Sequence, residues 1–427
     1  MNINGWDTIS VLDVTQVNAQ LQARLSQLLM TFDTTVLDGF AGDYEAKGRF
    51  GPWRITGGSD ADIYVTLPIA SGTLAPKDVS GSPIDISGMS VELEVNLEWI
   101  PSTVSAGVSD LQFDVKSVTP PGATRDKGGI YVKSVTDPNE TGFGGEVGSG
   151  ITAALVGNKD EITFVFAQTG VVDTRTATWL LPKKSVYSYH TPQGSSGGYL
   201  AILSVVTDRD ISGLNSNIDS GIIDPAHPLA FVVSSELFLE HAILPALPGA
   251  FPGTSLDNFL YGGHQISLAR SFDMKSIKEG AIDYTPSLQS LIITINGNAL
   301  KSTASGTCGL HLPNASLDFS ATSTNVLVFD AGTGTFSFQK DPNPSTHSSS
   351  HVPWYDYLIS LGAIGAAIMA IVLAAVESGL GNSLSSSELA GSLSDLPGSG
   401  VQWDGLDQIT IRQAALNDCF VLHADVA

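Results

Sequence analysis

The serine in Gly194-Ser195-Ser196-Gly197-Gly198 has the G-x-S-x-G spacing of a hydrolase nucleophile elbow. That motif exposes a serine Oγ on a strained turn between a strand and a helix. Here Pro192 precedes it, and the run Tyr199 to Val206 after it reads as strand, so a hairpin loop is expected. Gly148-Ser149-Gly150-Ile151-Thr152-Ala153 fits a loose G-x-G-x-x-A dinucleotide pattern. No βαβ unit surrounds it, and it is read as a loop, like the glycine-rich stretch Thr141 to Gly150 that runs into it. His347 and His351 have the spacing of two metal ligands, but on a serine-rich loop without a cysteine or carboxylate pair beside them. Asp60-Ala61-Asp62 and Asp208-Arg209-Asp210 lack a twelve-residue calcium loop and read as turn or strand-edge carboxylates. Cys308 and Cys419 are too few for a disulfide framework and are read as small buried side chains. With no acid, base or nucleophile set and no P-loop, a binding protein is expected rather than an enzyme, with no cofactor and no metal.

The elements that would carry a binding site are mostly strands. A helix is expected from Val14 to Leu29, capped by Asp13 with Gln16 at the capping-box position. Val14, Val17, Leu21, Leu25, Leu28 and Leu29 form one apolar stripe along it. Alternation then marks strands at Ile63 to Leu67 and at Met89 to Trp99, where Val91, Leu93, Val95, Leu97 and Trp99 oppose Glu92, Glu94, Asn96 and Glu98. Such long, one-sided strands suit antiparallel sheet with one wet face. Further strands are expected at 111–118, 161–167, 199–206, 264–272, 288–295, 326–329, 335–338, 408–412 and 420–423. A second helix is expected from Ser234 to Leu247, with Phe238, Ala242 and His241 inward and Pro245 and Pro248 ending or kinking it.

Residues 357–376 carry no charge and lie between Asp356 and Glu377. As a helix they would reach roughly 30 Å, enough for a bilayer core. Gly362, Ala366, Ala370 and Ala374 form a smooth ridge for close packing against a helix or within a membrane. Leu361, Ile364, Ile368 and Val372 form a bulky ridge beside it. The nearest cations are Lys340 and Arg412, so the positive-inside rule assigns no orientation. A buried soluble helix, a conditionally inserting one and a permanent anchor all remain open.

The chain has 427 residues, 42% of them hydrophobic and only 15% charged. The usual charged share is about 25%, so much of the polar surface must be Ser, Thr, Asn and Gly. A net charge of −23 with 20 Lys and Arg excludes a broad phosphate-tracking surface, hence nucleic acid as partner. Anionic membranes would repel the average surface, so membrane contact is conditional and must be hydrophobic or local. The start, Met1-Asn2-Ile3-Asn4-Gly5-Trp6-Asp7, lacks a basic and an apolar leader region. A cytoplasmic place, or export without a classical signal peptide, is expected.

Several stretches, in order, resemble one family. They are Gly5-Trp6-Asp7, Phe50-Gly51-Pro52-Trp53-Arg54-Ile55, Leu181-Pro182-Lys183-Lys184, Gly198 to Leu203, and Phe238 to Gly249 with Ile243-Leu244-Pro245. The chain is similar to the clostridial P-forty-seven and OrfX-type proteins encoded beside botulinum-type toxins, and through them to the tubular lipid-binding (TULIP) superfamily. The resemblance implies an α+β, TULIP-like, elongated fold in which long, strongly curved antiparallel sheets wrap long helices. Two lobes, 1–215 and 216–427, or one continuous module, would follow. It also implies lipid or another hydrophobic ligand in an apolar groove, lined by Val17, Leu21, Leu25, Leu28 and Phe238, and a role as toxin accessory protein. A sixteen-carbon chain would gain on the order of 10 kcal/mol there before ordering costs. The alternatives are docking to OrfX-like or toxin-complex proteins without a cavity, and membrane insertion through 357–376.

Overall fold

Asp13 closes the first strand and opens the first helix. Its carboxylate accepts from the Thr15 N–H at 2.6 Å, capping α1 (Val14–Ala23). The helix stops earlier than its apolar stripe: Arg24 leaves helical geometry to pair with Asp404, and a 3₁₀ turn (Leu25–Gln27) carries the chain on. The computed structural model describes residues 1–36, 42–77, 81–120, 123–124, 126–171, 177–193, 197–311, 314–351, 361–379, 400–406 and 408–426.

Three large sheets organise the chain. A six-stranded central sheet runs in the order Lys184–His190, Tyr199–Val205, Thr8–Asp13, Leu229–Val233, Phe420–Val426, Ile409–Leu416, all antiparallel. Both of its faces are covered. Leu12, Leu200, Ile202, Phe231 and Phe420 point into the main core. Val11, Leu203, Val205, Val232 and Val421 point into a second core closed by Trp6, Ile218 and Ile222. Tyr199–Val205 and Leu229–Val233 are therefore buried at every position, which explains why, apart from the buried Ser204, they are apolar throughout.

An eleven-stranded sheet follows the order Thr31–Val36, Tyr44–Phe50, Asp62–Pro76, Ser90–Pro101, Ser109–Asp114, Val165–Thr169, Val401–Trp403, with Gly129–Thr136 branching beside Ser90–Pro101. Val91, Leu93, Val95 and Leu97 face the core and Glu92, Glu94 and Glu98 the other side, as the alternation predicts. Here the glycine-rich loop reading is corrected. Residues Gly144–Gly157 form a helix, α2, because Gly148 and Gly150 let it lie close on the sheet. A Cβ at Gly148 would stand 3.1 Å from Val132 Cγ1, and one at Gly150 2.7 Å from Val36 Cγ2. The helix thus touches both Thr31–Val36 and Gly129–Thr136, at opposite ends of a run of five strands, and the sheet curls around it.

The third sheet has eight strands. Its main order is Phe259–Gly262, Gln265–Leu268, Pro286–Asn296, Ala299–Gly309, Ser316–Asp330, Thr335–Phe338. Residues 345–351, expected as loop, instead form a strand paired in register with 316–322. The helical segment before this sheet comprises α3 (Ser235–Phe238), a π turn (Leu239–Ile243) and α4 (Leu244–Ala250). Ser234 caps it, its Oγ accepting from the Leu237 N–H at 3.2 Å. Pro245 has no N–H for the Pro245-to-His241 helical bond, and the widened turn sits where that bond is missing. The fifth helix, α5 (Leu361–Ala374), continues into a π turn (Ala375–Gly379).

The fold is α+β, dominated by antiparallel sheet. A cut at 215/216 falls between Tyr199–Val205 and Leu229–Val233, two strands that both pair with Thr8–Asp13. The strand Val401–Trp403, which follows α5, pairs with Val165–Thr169, so the chain returns there to the eleven-stranded sheet.

Candidate functional site

Gly194, Ser195 and Ser196 lie outside the described residues; the strands on either side, Lys184–His190 and Tyr199–Val205, pair as a hairpin. His347 and His351 sit on one strand, where four residues span about 13 Å, and His351 Nε2 meets Asp318 Oδ2 at 2.9 Å. Among the described residues no group of His, Cys, Asp or Glu could hold a metal ion. Arg209 pairs with Asp7 at 2.7 Å, and Asp210 accepts from the Ser212 N–H at 3.0 Å. Both cysteines are free and buried, and burial pushes the Cys419 thiol up to about 12, far from a reactive thiolate.

The apolar stripe that begins in α1 and runs on to Leu28 is packed into the core. Val17, Leu21 and Leu28 are buried in the main cluster, with Leu25 half-buried against it. Phe238 is fully buried and stacks on Phe420 with ring centroids 4.6 Å apart. The four described clefts are lined by other residues.

Two of those clefts flank α5. The helix has two faces of opposite fate. Ile364, Ile368, Val372 and Val376 are buried and pack toward Ser316–Asp330 and its neighbours. The alanine ridge is the outward face instead of the packing face: Ala366, Ala370 and Ala374 are exposed. Gly362 belongs to the helix, but its side of the ridge lies outside the described burial, as do residues 357–360 altogether. The bulky side chains win the interior because each buried Ile or Val removes more apolar area from water than an alanine. A different small residue makes the close approach: a Cβ at Gly365 would meet Ser348 Oγ at 2.9 Å. Among the described residues no helix is long and apolar enough to cross a membrane.

The first cleft encloses about 630 Å³ and is lined chiefly by apolar residues, among them Phe251, Phe272, Met274, Ile371 and Ala375. Its floor is an aromatic cluster. Phe251, Phe259 and Phe272 meet at centroid distances of 6.0, 5.7 and 6.2 Å. Pro252 cannot continue α4, and Gly253, at φ +91°, turns the chain away so that the cleft stays open. The second cleft, about 920 Å³, lies along the ridge, between Ala366, Met369, Ala370 and Leu373 on one side and Lys340, Pro342, Pro344, Thr346 and Ser348 on the other. Ala374 lines both clefts, so they adjoin across one exposed residue. The other two clefts, about 570 and 390 Å³, share Trp99 and Ser185 and have more polar walls, including Glu98, Asp126 and Lys183.

The scaffold near the first cleft is tied by charged hydrogen bonds. His264 Nδ1 lies 2.6 Å from Glu236 Oε1, joining the turn after Phe259–Gly262 to α3. Burial alone would raise the Glu236 carboxyl, but hydrogen bonds from its own backbone N–H, His264 and Ser235 outweigh it and hold it below its ordinary value. Tyr261 is pushed up to about 12, by burial first and then by Glu236 and Glu240, so its hydroxyl stays neutral. His241 stacks on Trp179 at 4.9 Å, and burial holds its imidazole below the usual value. None of these four groups lines the first cleft. Of the cleft residues, the sequence singled out Ala366, Ala370 and Ala374; Phe251, Phe272 and Met274 escaped because they sit in short, irregular segments with no period, and their one visible signal was the Phe251-Pro252-Gly253 break.

Residues 3–386 match the family model for OrfX-like proteins, described as Protein OrfX2/OrfX3/P47. The chain is 26% identical to Protein P47 of Clostridium botulinum (strain Kyoto / Type A2) over 437 aligned positions, covering 100% of both chains. It is 22% identical to Protein OrfX3 of the same strain, covering 69% of this chain and 67% of that one. Its fold matches the solved structure of P47 from Clostridium botulinum A2 with a TM-score of 0.79 at 23% identity, covering 100% of this chain and 98% of that one. It matches P47 of Clostridium botulinum E1 with a TM-score of 0.77 at 22% identity over the whole of both chains. With a family model spanning most of its length and this fold, the chain belongs to the OrfX-like family of OrfX2, OrfX3 and P47 proteins.

Proposed function

We propose that this protein binds lipid or another apolar ligand without transforming it, in the clefts astride α5, and serves as an accessory protein of a toxin system. The observation that carries the reading is the cleft of about 630 Å³ floored by Phe251, Phe272 and Met274 beside a charge-free helix face. Its size lies within the roughly 300–1,000 Å³ typical of small-ligand sites. Each methylene moved from water into it would contribute about 0.8 kcal/mol, and micromolar affinity needs only about 8 kcal/mol. The curl of the large sheet around α2 supports a TULIP-like reading of the fold. The similarity to P47 and OrfX3 of Clostridium botulinum supports the toxin context and OrfX-like proteins as partners.

The test is direct. Protein purified without detergent is examined by native mass spectrometry and by solvent extraction, and displacement of a fluorescent fatty-acid probe is measured for the native chain and for Ala374→Trp. Residue 374 is exposed, so the indole fills the cleft mouths without disturbing the core. Bound lipid, with probe affinity lost in Ala374→Trp, is expected. Absence of both extracted lipid and probe binding sinks the reading. A second reading, docking to an OrfX-like protein, draws on Leu256 and Leu260, which are 52% and 58% exposed near the same cleft. Capture of a purified OrfX-like protein by delipidated chain, lost in Leu256→Asp/Leu260→Asp, would favour it.

A further inference from the structure

The two clefts that adjoin at Ala374 differ in chemistry, and the difference gives a ligand a direction. On one flank Phe251, Phe272, Met274 and Ile371 offer hydrocarbon contact. On the other, Lys340, Thr346 and Ser348 bring an ammonium and two hydroxyls to the wall facing the alanine ridge. Asp341 lines the same wall but is committed to the backbone: its oxygens accept from the Thr324 N–H at 2.7 Å and the Asn343 N–H at 2.8 Å. Gly365 lets the strand bearing Ser348 lie against the helix. The crest between the clefts is only methyl-high, because Ala374, the residue that lines both, forms it.

We propose that the site takes a single-chain anionic amphiphile, a carboxylate or phosphate head on one hydrocarbon tail. It lies across α5 at Ala374, with the tail in the Phe251–Phe272 cleft and the head against Lys340, Thr346 and Ser348. The proposal rests on the apolar-ligand reading above and adds to it the charge of the head and the orientation. Each cleft is bordered by one lysine and one aspartate, Lys275 with Asp273 and Lys340 with Asp341, and it is the hydroxyls of Thr346 and Ser348 that mark the second cleft as the head side. Lys340 is the cation on the head side.

The experiment is probe displacement by hexadecanoate, hexadecyl phosphate, methyl hexadecanoate and inorganic phosphate. It uses the full chain and the Lys340→Glu, Lys275→Glu and Ile371→Trp variants, each checked by thermal melting. Both anionic amphiphiles should outcompete the methyl ester. Lys340→Glu should weaken them about tenfold, the worth of one charge-assisted hydrogen bond, and leave the ester unchanged. Ile371→Trp should weaken all three lipids. Inorganic phosphate should not compete. Equal binding of acid and ester, unmoved by Lys340→Glu but lost in Ile371→Trp, overturns the head assignment and leaves the apolar cleft standing. A loss confined to Lys275→Glu overturns the orientation. Competition by inorganic phosphate overturns the amphiphile in favour of a free anion. No binding of any lipid removes the reading beneath it as well.

Discussion

Gly150→Ala and Gly145→Ala are the same change in the same helix and should move stability in opposite directions. Alanine is favoured over glycine inside a helix by about 1 kcal/mol, and by less near an end. At Gly145, in the first turn of α2, a Cβ meets nothing within 4 Å, so a gain of about 0.5 kcal/mol is expected. At Gly150 the Cβ would stand 2.7 Å from Val36 Cγ2, about 1 Å inside ordinary carbon–carbon contact. Val36 is buried, β-branched and held in a strand, so it cannot rotate away. The helix must lift from the sheet instead, at an overpacking cost of about 1–3 kcal/mol. The net should be a loss of about 1 kcal/mol. Urea unfolding with unchanged slope gives the comparison. Gly148→Ala, at 3.1 and 3.2 Å from Val132 and Val135, should fall between the two. If Gly150→Ala stabilises the chain as much as Gly145→Ala, then α2 does not rest on Thr31–Val36, and the curled sheet loses its supporting contact.

Three further outcomes follow from the same coordinates. Ile368→Ala removes a fully buried side chain from the packed face of α5 and should cost about 2–5 kcal/mol in urea unfolding, while the exposed Ala366→Ser changes it little. Ser234→Ala removes the cap of α3, whose Oγ accepts from the Leu237 N–H, and should lower stability by about 1 kcal/mol. Asp425 is held below its ordinary value by hydrogen bonds from His227 and Arg412, at 2.8 and 2.7 Å. A depressed carboxyl stabilises the fold above its unfolded value of about 3.9 and loses that contribution as pH falls through the lower folded value. Thermal melts from pH 5 to 2 should therefore fall less steeply for Asp425→Asn than for the native chain.

What the sequence disclosed depended on whether one residue type had one job. In Ser90–Pro101 the apolar and acidic residues alternate because one face is wet, and both strand and inward set could be read directly. In Tyr199–Val205 both faces are covered, so the strand was visible but its two cores were not. Glycine misled in α2, where it serves close packing rather than a turn. Serine misled in Ser345–His351, an edge strand whose side chains are all exposed and carry no alternation. Ala299–Gly309 was missed for a related reason. Its inward positions include Ser302, Ala304 and Cys308, small side chains whose burial does not register as an apolar pattern. The charge-free segment was legible as a helix but not as a two-faced one, since bulky and small ridges are both apolar. The cleft was illegible because it is made by three segments, 250–253, 272–275 and 371–379, that meet only in space.

The placement of α5 in the chain bears on how a cleft can be altered without loss of the fold. Before it, Leu229–Val233 is already locked into the central sheet. After it, the chain re-enters the frame at Val401–Trp403, where Trp403 Nε1 donates to Ser10 Oγ at 2.9 Å, Asp404 pairs with Arg24, and the last two strands complete the central sheet. The frame is therefore closed by residues on both sides of the helix, and the helix itself contributes one packed face and one open one. Changes on the open face cost little buried area, so side chains there can vary while the architecture persists. It also separates a deletion from a set of substitutions. Removing 401–427 strips strands from two sheets and should leave an insoluble chain. Replacing Ala366, Ala370 and Ala374 with serines should leave unfolding by urea nearly unchanged while weakening the binding of long-chain ligands. Equal damage from both would mean that the alanine face is part of the frame after all.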